Sequence, residues 1–342
     1  LASMFCLRGW NLKQMAPVLN DTDAEWLSAA KAMPVDSWPL AVRLDLPDWL
    51  FERLSAKYPL DIEALATALN RPAPLDLRIN PMKVTREAVL QRLAADGMPG
   101  TACVHSPLGI RLEEKPALSR HPLFLDGSIE VQDEGSQLLG YLVAPKRGEM
   151  VVDFCAGAGG KTLLLGALMR SAGRLYAFDV SEKRLANLKP RLARSGLSNV
   201  HPVRIESEND IKVKRLAGKL DRVLVDAPCS GLGTLRRNPD LKWRQSPESV
   251  TELTQKQHDI LTAAARLVKS GGRLVYATCS LLAEENEDVV SAFLAAHPDF
   301  VPLNAAEILS RQGINVGDEA ALRLLPHVHG SDGFFAMAME RK

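Results

Sequence analysis

Residues 151–162, Val-Val-Asp-Phe-Cys-Ala-Gly-Ala-Gly-Gly-Lys-Thr, constrain the fold more than any other stretch of this chain. An apolar run at 150–154 reads as a buried strand, and the glycines that follow allow a sharp turn and close approach of backbone to a ligand. A helix over 161–170 comes next, and its first turn offers unpaired N–H groups and positive dipole potential. A strand, a glycine loop and a helix in that order make a nucleotide-type corner.

The spacing sorts the possible ligands. A phosphate-binding Walker loop needs Gly five residues before the Gly-Lys pair, and Cys155 stands there. The dinucleotide fingerprint needs Gly or Ala three residues after its second Gly, and Thr162 stands there. The next strand, 174–178, ends in Asp179, about 20 residues beyond the turn, where a carboxylate can accept both hydroxyls of a ribose. A ribose acceptor without either phosphate pattern favours S-adenosylmethionine (SAM) over ATP or NAD.

Strands at 150–154, 174–178, 200–205, 222–225 and 273–277 alternate with helical runs at 161–170, 182–195 and 247–268. This alternation predicts an α/β, doubly wound, mostly parallel sheet. Lys189-Pro190 predicts a kink in the second helix. Residues 321–325 and 333–339 predict an antiparallel hairpin, the end that Rossmann-like SAM-dependent methyltransferases carry by analogy. Residues 1–70 predict a helical segment, with turns at Met33-Pro34 and Trp38-Pro39 and helices over 48–57 and 61–69, each behind an Asp that can cap it. After the Arg71-Pro72-Ala73-Pro74 hinge, a strand at 75–79, a helix at 85–95 and short strands near 101–105, 110–112 and 128–131 predict a small α+β, RRM-like module. The expected division is therefore 1–70, 71–140 and a catalytic domain over 141–342.

Composition narrows the setting. A net charge of +1 over 342 residues carries no global nucleic-acid signature, so any basic surface is local. Five cysteines without a CxxC pair or a His–Cys cluster predict neither a zinc site nor a disulfide framework, which fits a cytoplasmic protein. His258, His327 and His329 have no metal spacing and are expected at the surface or in packing. No run approaches about 18 apolar residues, so no membrane span is expected. Residues 1–15 lack a cleavage site and are not read as a signal peptide.

Two cysteines follow strands directly: Asp226-Ala227-Pro228-Cys229-Ser230-Gly231 after 222–225, and Thr278-Cys279-Ser280 after 273–277. Ligands of open α/β sheets sit at those carboxyl ends. A thiol beside SAM suits methylation at carbon 5 of a pyrimidine, a poor nucleophile. Thiolate addition at carbon 6 makes the ring enamine-like, and carbon 5 then attacks the methyl group. Asp226 is placed to hydrogen-bond the pyrimidine edge and favour cytosine. A second thiol can take the carbon-5 proton or help expel the first sulfur.

These stretches, together with Arg236-Arg237-Asn238-Pro239-Asp240-Leu241-Lys242-Trp243, Leu77-Arg78-Ile79-Asn80 and Val131-Gln132-Asp133-Glu134, resemble the RsmB/Sun family of RNA cytosine carbon-5 methyltransferases. The resemblance implies Cys279 as nucleophile and Cys229 as the cysteine that assists product release. It sets SAM against Cys155, Ala156, Gly157, Ala158, Gly159, Gly160 and Lys161, with Asp179, Asp226 and the acidic position after the third strand. That position falls on Glu206, where Asp is usual, with Glu208 and Asp210 close by. Gly157-Ala158 replaces the usual Ala-Pro. The helical N-terminal domain of the bacterial ribosomal RNA enzymes is at most partly represented, which leaves the RNA open: 16S ribosomal RNA is favoured, transfer RNA is the alternative. RNA contacts are expected at Arg236, Arg237, Lys242 and Arg244, with Trp243 among them. A second basic run is Lys212, Lys214, Arg215 and Lys219, and the 71–140 module is expected to supply the RNA grip. Rival readings are a P-loop-like ATPase with Asp226 on magnesium, a non-catalytic RNA-binding assembly factor, and methylation of uracil.

Overall fold

The computed structural model describes residues 10–32 and 34–342. Most of the 1–15 segment, and Met33 of the first predicted turn, lie outside them. Helices α1 (Asp21–Ala32), α2 (Asp48–Lys57) and α3 (Ile62–Leu69) form the N-terminal part. A four-stranded antiparallel sheet follows, with β1 (Leu75–Ile79), helix α4 (Arg86–Ala95), β2 (Gly100–Ala102), β3 (Gly109–Leu112) and β4 (Ile129–Val131), in the order β2-β3-β1-β4. Thr85 caps α4, its side chain accepting from the Ala88 N–H.

The larger sheet is built from β5 (Met150–Asp153), α6 (Gly160–Leu168), β6 (Arg174–Asp179), α7 (Glu182–Ser195), β7 (Val200–Arg204), β8 (Leu220–Asp226), α8 (Pro247–Ala265) and β9 (Val268–Thr278). Helix α5 (Glu134–Val143) precedes them, and α9 (Glu287–Ala296), β10 (Phe300–Leu303), β11 (Leu322–Leu324) and β12 (Phe334–Arg341) complete the sheet. Its order is β10-β12-β9-β8-β5-β6-β7, with β11 also on β12. Strands β7, β6, β5, β8 and β9 run parallel, whereas β12 is antiparallel to β9, β10 and β11. The expected doubly wound sheet with an antiparallel end is therefore present. One core covers one face through Leu138, Leu142, Leu165 and Leu175; another covers the opposite face through Phe154, Phe178, Leu261 and Tyr276.

Three local expectations change. Helix α8 stops at Ala265, and Val268 already belongs to β9, because the Ser270-Gly271-Gly272 stretch lies within that strand instead of ahead of it. Pro190 sits on the exposed side of α7, and the helix continues through it. Strand β10 and helix α9 were not anticipated. Among the described residues, no helix is long and apolar enough to cross a membrane.

The small sheet docks on the large one through a polar face. Leu77 and Ile79 of β1 pack with Val89 and Leu93 of α4, while Asp76 and Arg78 alternate to the other side and are buried there. On that side Glu130 pairs with Arg191 at 2.8 Å and with Arg194 at 2.6 Å, both from α7. Asn80 donates to the Ser195 carbonyl at 2.9 Å. The 71–140 module thus has no open sheet face on which RNA bases could stack, and any grip on RNA would come from its loops and edges. Helices α2 and α3 are equally integrated: Leu50, Leu54, Leu65 and Leu69 share a core with Leu232, Leu235, Leu281 and Leu282, which flank the two cysteine loops.

Candidate active site

Gly159 is the hinge of the glycine corner. Its φ of 81° lies in the left-handed region, and a Cβ there would come within 2.1 Å of Leu188 Cδ1. Gly159→Ala therefore combines backbone strain with overpacking, and its cost should be about 2–5 kcal/mol by chemical denaturation. The loop is also gripped from behind. Arg78 donates to the Gly160 carbonyl and Arg191 to the Ala158 carbonyl, each at 2.7 Å. This gives the Leu77-Arg78-Ile79-Asn80 stretch its role: the small sheet holds the loop. Burial lowers the Arg78 pKa to about 10, and the neighbouring Glu130 carboxylate opposes that fall.

In front of the loop lies a cavity of about 420 Å³ whose lining includes Cys155, Ala156, Gly157, Ala158, Asp179, Asp226, Cys229 and Cys279. Asp179 ends β6 and is buried. One of its oxygens accepts from the Gly157 N–H at 2.8 Å and the other from the Ser181 N–H at 2.7 Å, so about half of its four lone-pair sites remain for a ligand. Phe154, Ile205, Pro228 and Ile260 supply apolar walls. The cavity thus offers carboxylates and flat apolar surface, a donor set that fits a nucleoside bearing a positive charge.

Lys161 turns away from this cavity. It donates to Asp226 at 2.7 Å. Burial works against its charge, but the Asp226 carboxylate outweighs that and raises its pKa. Gly159, Gly160 and Lys161 do not line the cavity, so the expectation that the whole loop contacts SAM narrows to Cys155–Ala158. A lysine engaged by an aspartate is also unavailable to a triphosphate, which removes the main support for the ATPase reading.

The three acidic candidates after β7 separate cleanly. Glu206 is 72 % exposed and pairs with Arg204, outside the lining of the cavity. Asp210 caps the following short helical turn, accepting from the N–H groups of Glu206 and Lys212 at 2.8 Å each. Glu208 lines the cavity. The sequence carries no signal for this order, because the loop leaves β7 without a regular period.

Strands β8 and β9 are neighbours, with Asp226 opposite Ala277, and they deliver the two cysteines to one point. Cys229 Sγ and Cys279 Sγ lie 3.4 Å apart, a hydrogen-bond distance and too long for a disulfide. The hydrogen bond to Cys279 and burial hold the Cys229 thiol protonated well above its ordinary range. Behind the loop, burial pushes the Asp153 carboxyl up to about 7, although Thr162 donates to it at 2.7 Å. Gly233 locks the Cys279 loop: its N–H donates to the Cys279 carbonyl at 2.8 Å, and a Cβ would meet the Gly333 carbonyl oxygen at 2.3 Å.

The basic cluster after the Cys229 loop is largely structural. The Arg236 side chain is 6 % exposed and pairs with Asp332 at 3.1 Å. Arg237 pairs with the same Asp332 at 2.5 Å and with Asp133 at 3.0 Å. Lys242 is buried on Asp45 at 2.6 Å. The charges of these three are met within the fold by carboxylates remote in sequence, with the Arg236 and Lys242 side chains enclosed and Arg237 still exposed. Arg244 and Trp243 remain exposed, as do Lys212, Lys214, Arg215 and Lys219. Among the described residues, Asp76, Cys103 and Glu134 come within reach of a shared ion, but Arg111 is bound there by Asp76 at 2.7 and 2.9 Å.

The family model for the 16S rRNA methyltransferase RsmB/F matches residues 140–340, and that for the associated ferredoxin-like domain matches residues 46–119. The probable ribosomal RNA small subunit methyltransferase B of Synechocystis sp. is 39 % identical over 308 residues, covering 88 % of this chain and 68 % of that protein. The ribosomal RNA small subunit methyltransferase B of Sodalis glossinidius is 35 % identical, covering 95 % of this chain and 72 % of its own length. Among solved structures, PH0851 superposes with a TM-score of 0.83 at 32 % identity, over 96 % of this chain and 74 % of the other.

Proposed function

The chain belongs to the 16S rRNA methyltransferase RsmB/F family, and from that premise we propose that it methylates carbon 5 of a cytosine in ribosomal RNA through a covalent adduct on Cys279. The observation that carries this reading is the thiol pair at 3.4 Å on the wall of the cavity that holds Asp179 and the glycine loop. SAM, when bound, supplies an electrophilic methyl group on a sulfonium. Asp179 takes the ribose hydroxyls, and Glu208 takes the adenosine side of the cavity.

Cys279 attacks carbon 6 of the base as a thiolate, a C–S bond forms, and the electron pair of the ring double bond becomes available at carbon 5. The second carboxylate oxygen of Asp226 accepts from the exocyclic amino group, which selects cytosine over uracil. Lys161, donating to the other oxygen at 2.7 Å, keeps Asp226 aimed. After methyl transfer, carbon 5 carries both a proton and the new methyl group. A base takes that proton, the ring double bond re-forms, and Cys279 leaves as thiolate. Cys229 is that base. The nucleotide must leave its stack to reach the thiol, costing about a few kcal/mol, less in a loop. Exposed Trp243 and Arg244 are proposed to meet the RNA beside this crevice.

The test is methyl transfer from labelled SAM to total RNA of a strain lacking the protein, followed by nucleoside analysis. Label in 5-methylcytosine of small-subunit ribosomal RNA is the expected result. Label in 5-methyluridine, or in transfer RNA alone, would replace the substrate assignment. Asp179→Ala should weaken SAM binding roughly 10- to 100-fold, the range of one or two lost charge-assisted hydrogen bonds. Calorimetric titration reads this directly, and unchanged affinity would remove Asp179 from the ribose.

A further inference from the structure

Glu285 is wholly buried, and among the described residues no Lys or Arg forms an ion pair with it. Four donors converge on its two oxygens, as many lone-pair sites as a carboxylate offers. One oxygen accepts from the Ser230 N–H at 2.8 Å and from Gln257 Nε2 at 3.0 Å. The other accepts from Ser230 Oγ at 2.5 Å and from Ser280 Oγ. Ser230 follows Cys229, and Ser280 follows Cys279. The two hydroxyl oxygens lie 3.2 Å apart.

The neighbouring side chain completes the clasp. Asn286 accepts from Thr278 Oγ1 at 2.5 Å and donates to the Ser280 carbonyl at 3.0 Å, gripping both sides of Cys279. Gln257 reaches from α8 to the Pro228 carbonyl at 3.0 Å, just before Cys229. Tyr276 Oη donates to the Glu285 carbonyl at 2.6 Å. All these side chains are buried. An isolated acidic side chain costs free energy to bury unless its partners are complete, so this one is compensated only while both loops stay on it.

We propose that Glu285 is a positioning residue: it gathers the residue after each cysteine onto one buried carboxylate and so sets the separation of the two thiols. It touches no reacting atom. Its part in catalysis rests on the two-thiol reading given above, whereas its effect on the thiol geometry does not.

The experiment uses the full chain with Glu285→Gln, which keeps shape but turns one acceptor into a donor facing other donors. Closure of a Cys229–Cys279 disulfide by diamide, followed by mass spectrometry, reads thiol proximity without any RNA. Diamide accepts the two electrons and two protons released as the S–S bond forms. Closure is expected to slow about 10-fold and kcat on ribosomal RNA to fall ~100-fold, as for a reacting group displaced by about 1 Å, with SAM affinity and melting temperature held. General loosening would instead accelerate alkylation of both thiols by iodoacetamide. Closure at the wild-type rate overturns the proposal whatever the activity, and a kcat loss matched by lost SAM affinity overturns it as mere structural support. If Glu285→Gln does not fold, Ser280→Ala decides, since it deletes one donor from the clasp and should slow closure; an unchanged rate there is equally fatal. If the wild-type protein makes no 5-methylcytosine, the parent reading fails while the closure rates still decide on Glu285.

Discussion

Cys279→Ala is expected to abolish methyl transfer while leaving SAM affinity within about twofold of wild type. Without a sulfur at carbon 6, carbon 5 has no enamine character, and no other group at the end of β9 can supply it. Cys279 is only partly buried and packs at the edge of one core, so the variant loses one sulfur from the cavity wall and little packing. Removing the nucleophile of a covalent mechanism should cost a factor on the order of 10⁴ or more, about 5.4 kcal/mol in activation free energy. Single-turnover transfer of labelled methyl to ribosomal RNA, beside calorimetric titration with SAM, separates the two effects. A variant that retained even one-tenth of the rate would rule out the adduct on Cys279. A loss of SAM binding in parallel would make the residue part of the cofactor wall instead.

The sequence carried some features of this molecule plainly and others not at all, and the division has a physical cause. The glycine corner, the parallel strands and both cysteines are local signals: each is written within a dozen residues, and the strand ends fix where they lie. The antiparallel end was legible for the same reason, since two short apolar runs, at Leu322–Leu324 and Phe334–Arg341, flank a Pro- and Gly-containing connection. The charges behaved differently. Arg236, Arg237 and Lys242 read as a basic patch because their partners, Asp332, Asp133 and Asp45, are about one hundred residues away or more. A run of like charge shows its own sign and hides its complement. Glu206, on which the acidic position of the family pattern falls, and Glu208 cannot be told apart by spacing, and only the loop beyond β7 shows that Glu206 is exposed and Glu208 lines the cavity. Glu285 lay unremarked in Glu284-Glu285-Asn286-Glu287, which reads as a solvated face, although Glu285 is the most enclosed of the four.

The small sheet shows how a fold can carry a pattern for a purpose that its own class does not suggest. Alternation along β1 gives Leu77 and Ile79 to one side and Asp76 and Arg78 to the other, as in any half-buried strand. An open polar face would be free for RNA. Here it closes on α7 and the glycine loop, with Arg78 on the Gly160 carbonyl and Glu130 between two arginines. The module is therefore a second support for the cofactor corner. Breaking a buried pair leaves an uncompensated charge, which costs more than the pair itself contributes. The two sheets are thus coupled through ionic contacts that do not tolerate partial loss.

Cys229→Ala should have the opposite signature to Cys279→Ala: the reaction begins and does not end. In the resting site the hydrogen bond with Cys279 at 3.4 Å, with burial beside it, keeps the Cys229 thiol protonated. Once the Cys279 sulfur is bonded to carbon 6 it is a thioether, a poor acceptor, and the larger of the two causes disappears. Cys229 then releases its proton to water, and this proton is the one by which methyl transfer to a C–H bond must acidify the solution. The resulting thiolate takes the proton from carbon 5, the ring double bond re-forms, and Cys279 departs as thiolate into a renewed hydrogen bond from Cys229. The pair is then ready for the next base. Alanine at position 229 removes the base, so methylated RNA should remain bonded to Cys279. The product is a protein–RNA band that survives denaturing electrophoresis, carries label from SAM and disappears in the Cys229→Ala/Cys279→Ala double variant. Turnover should fall on the order of 10²–10⁴-fold, the usual loss for a deleted general base. Normal turnover without an adduct would take Cys229 out of the reaction and leave Cys279 to expel itself unaided.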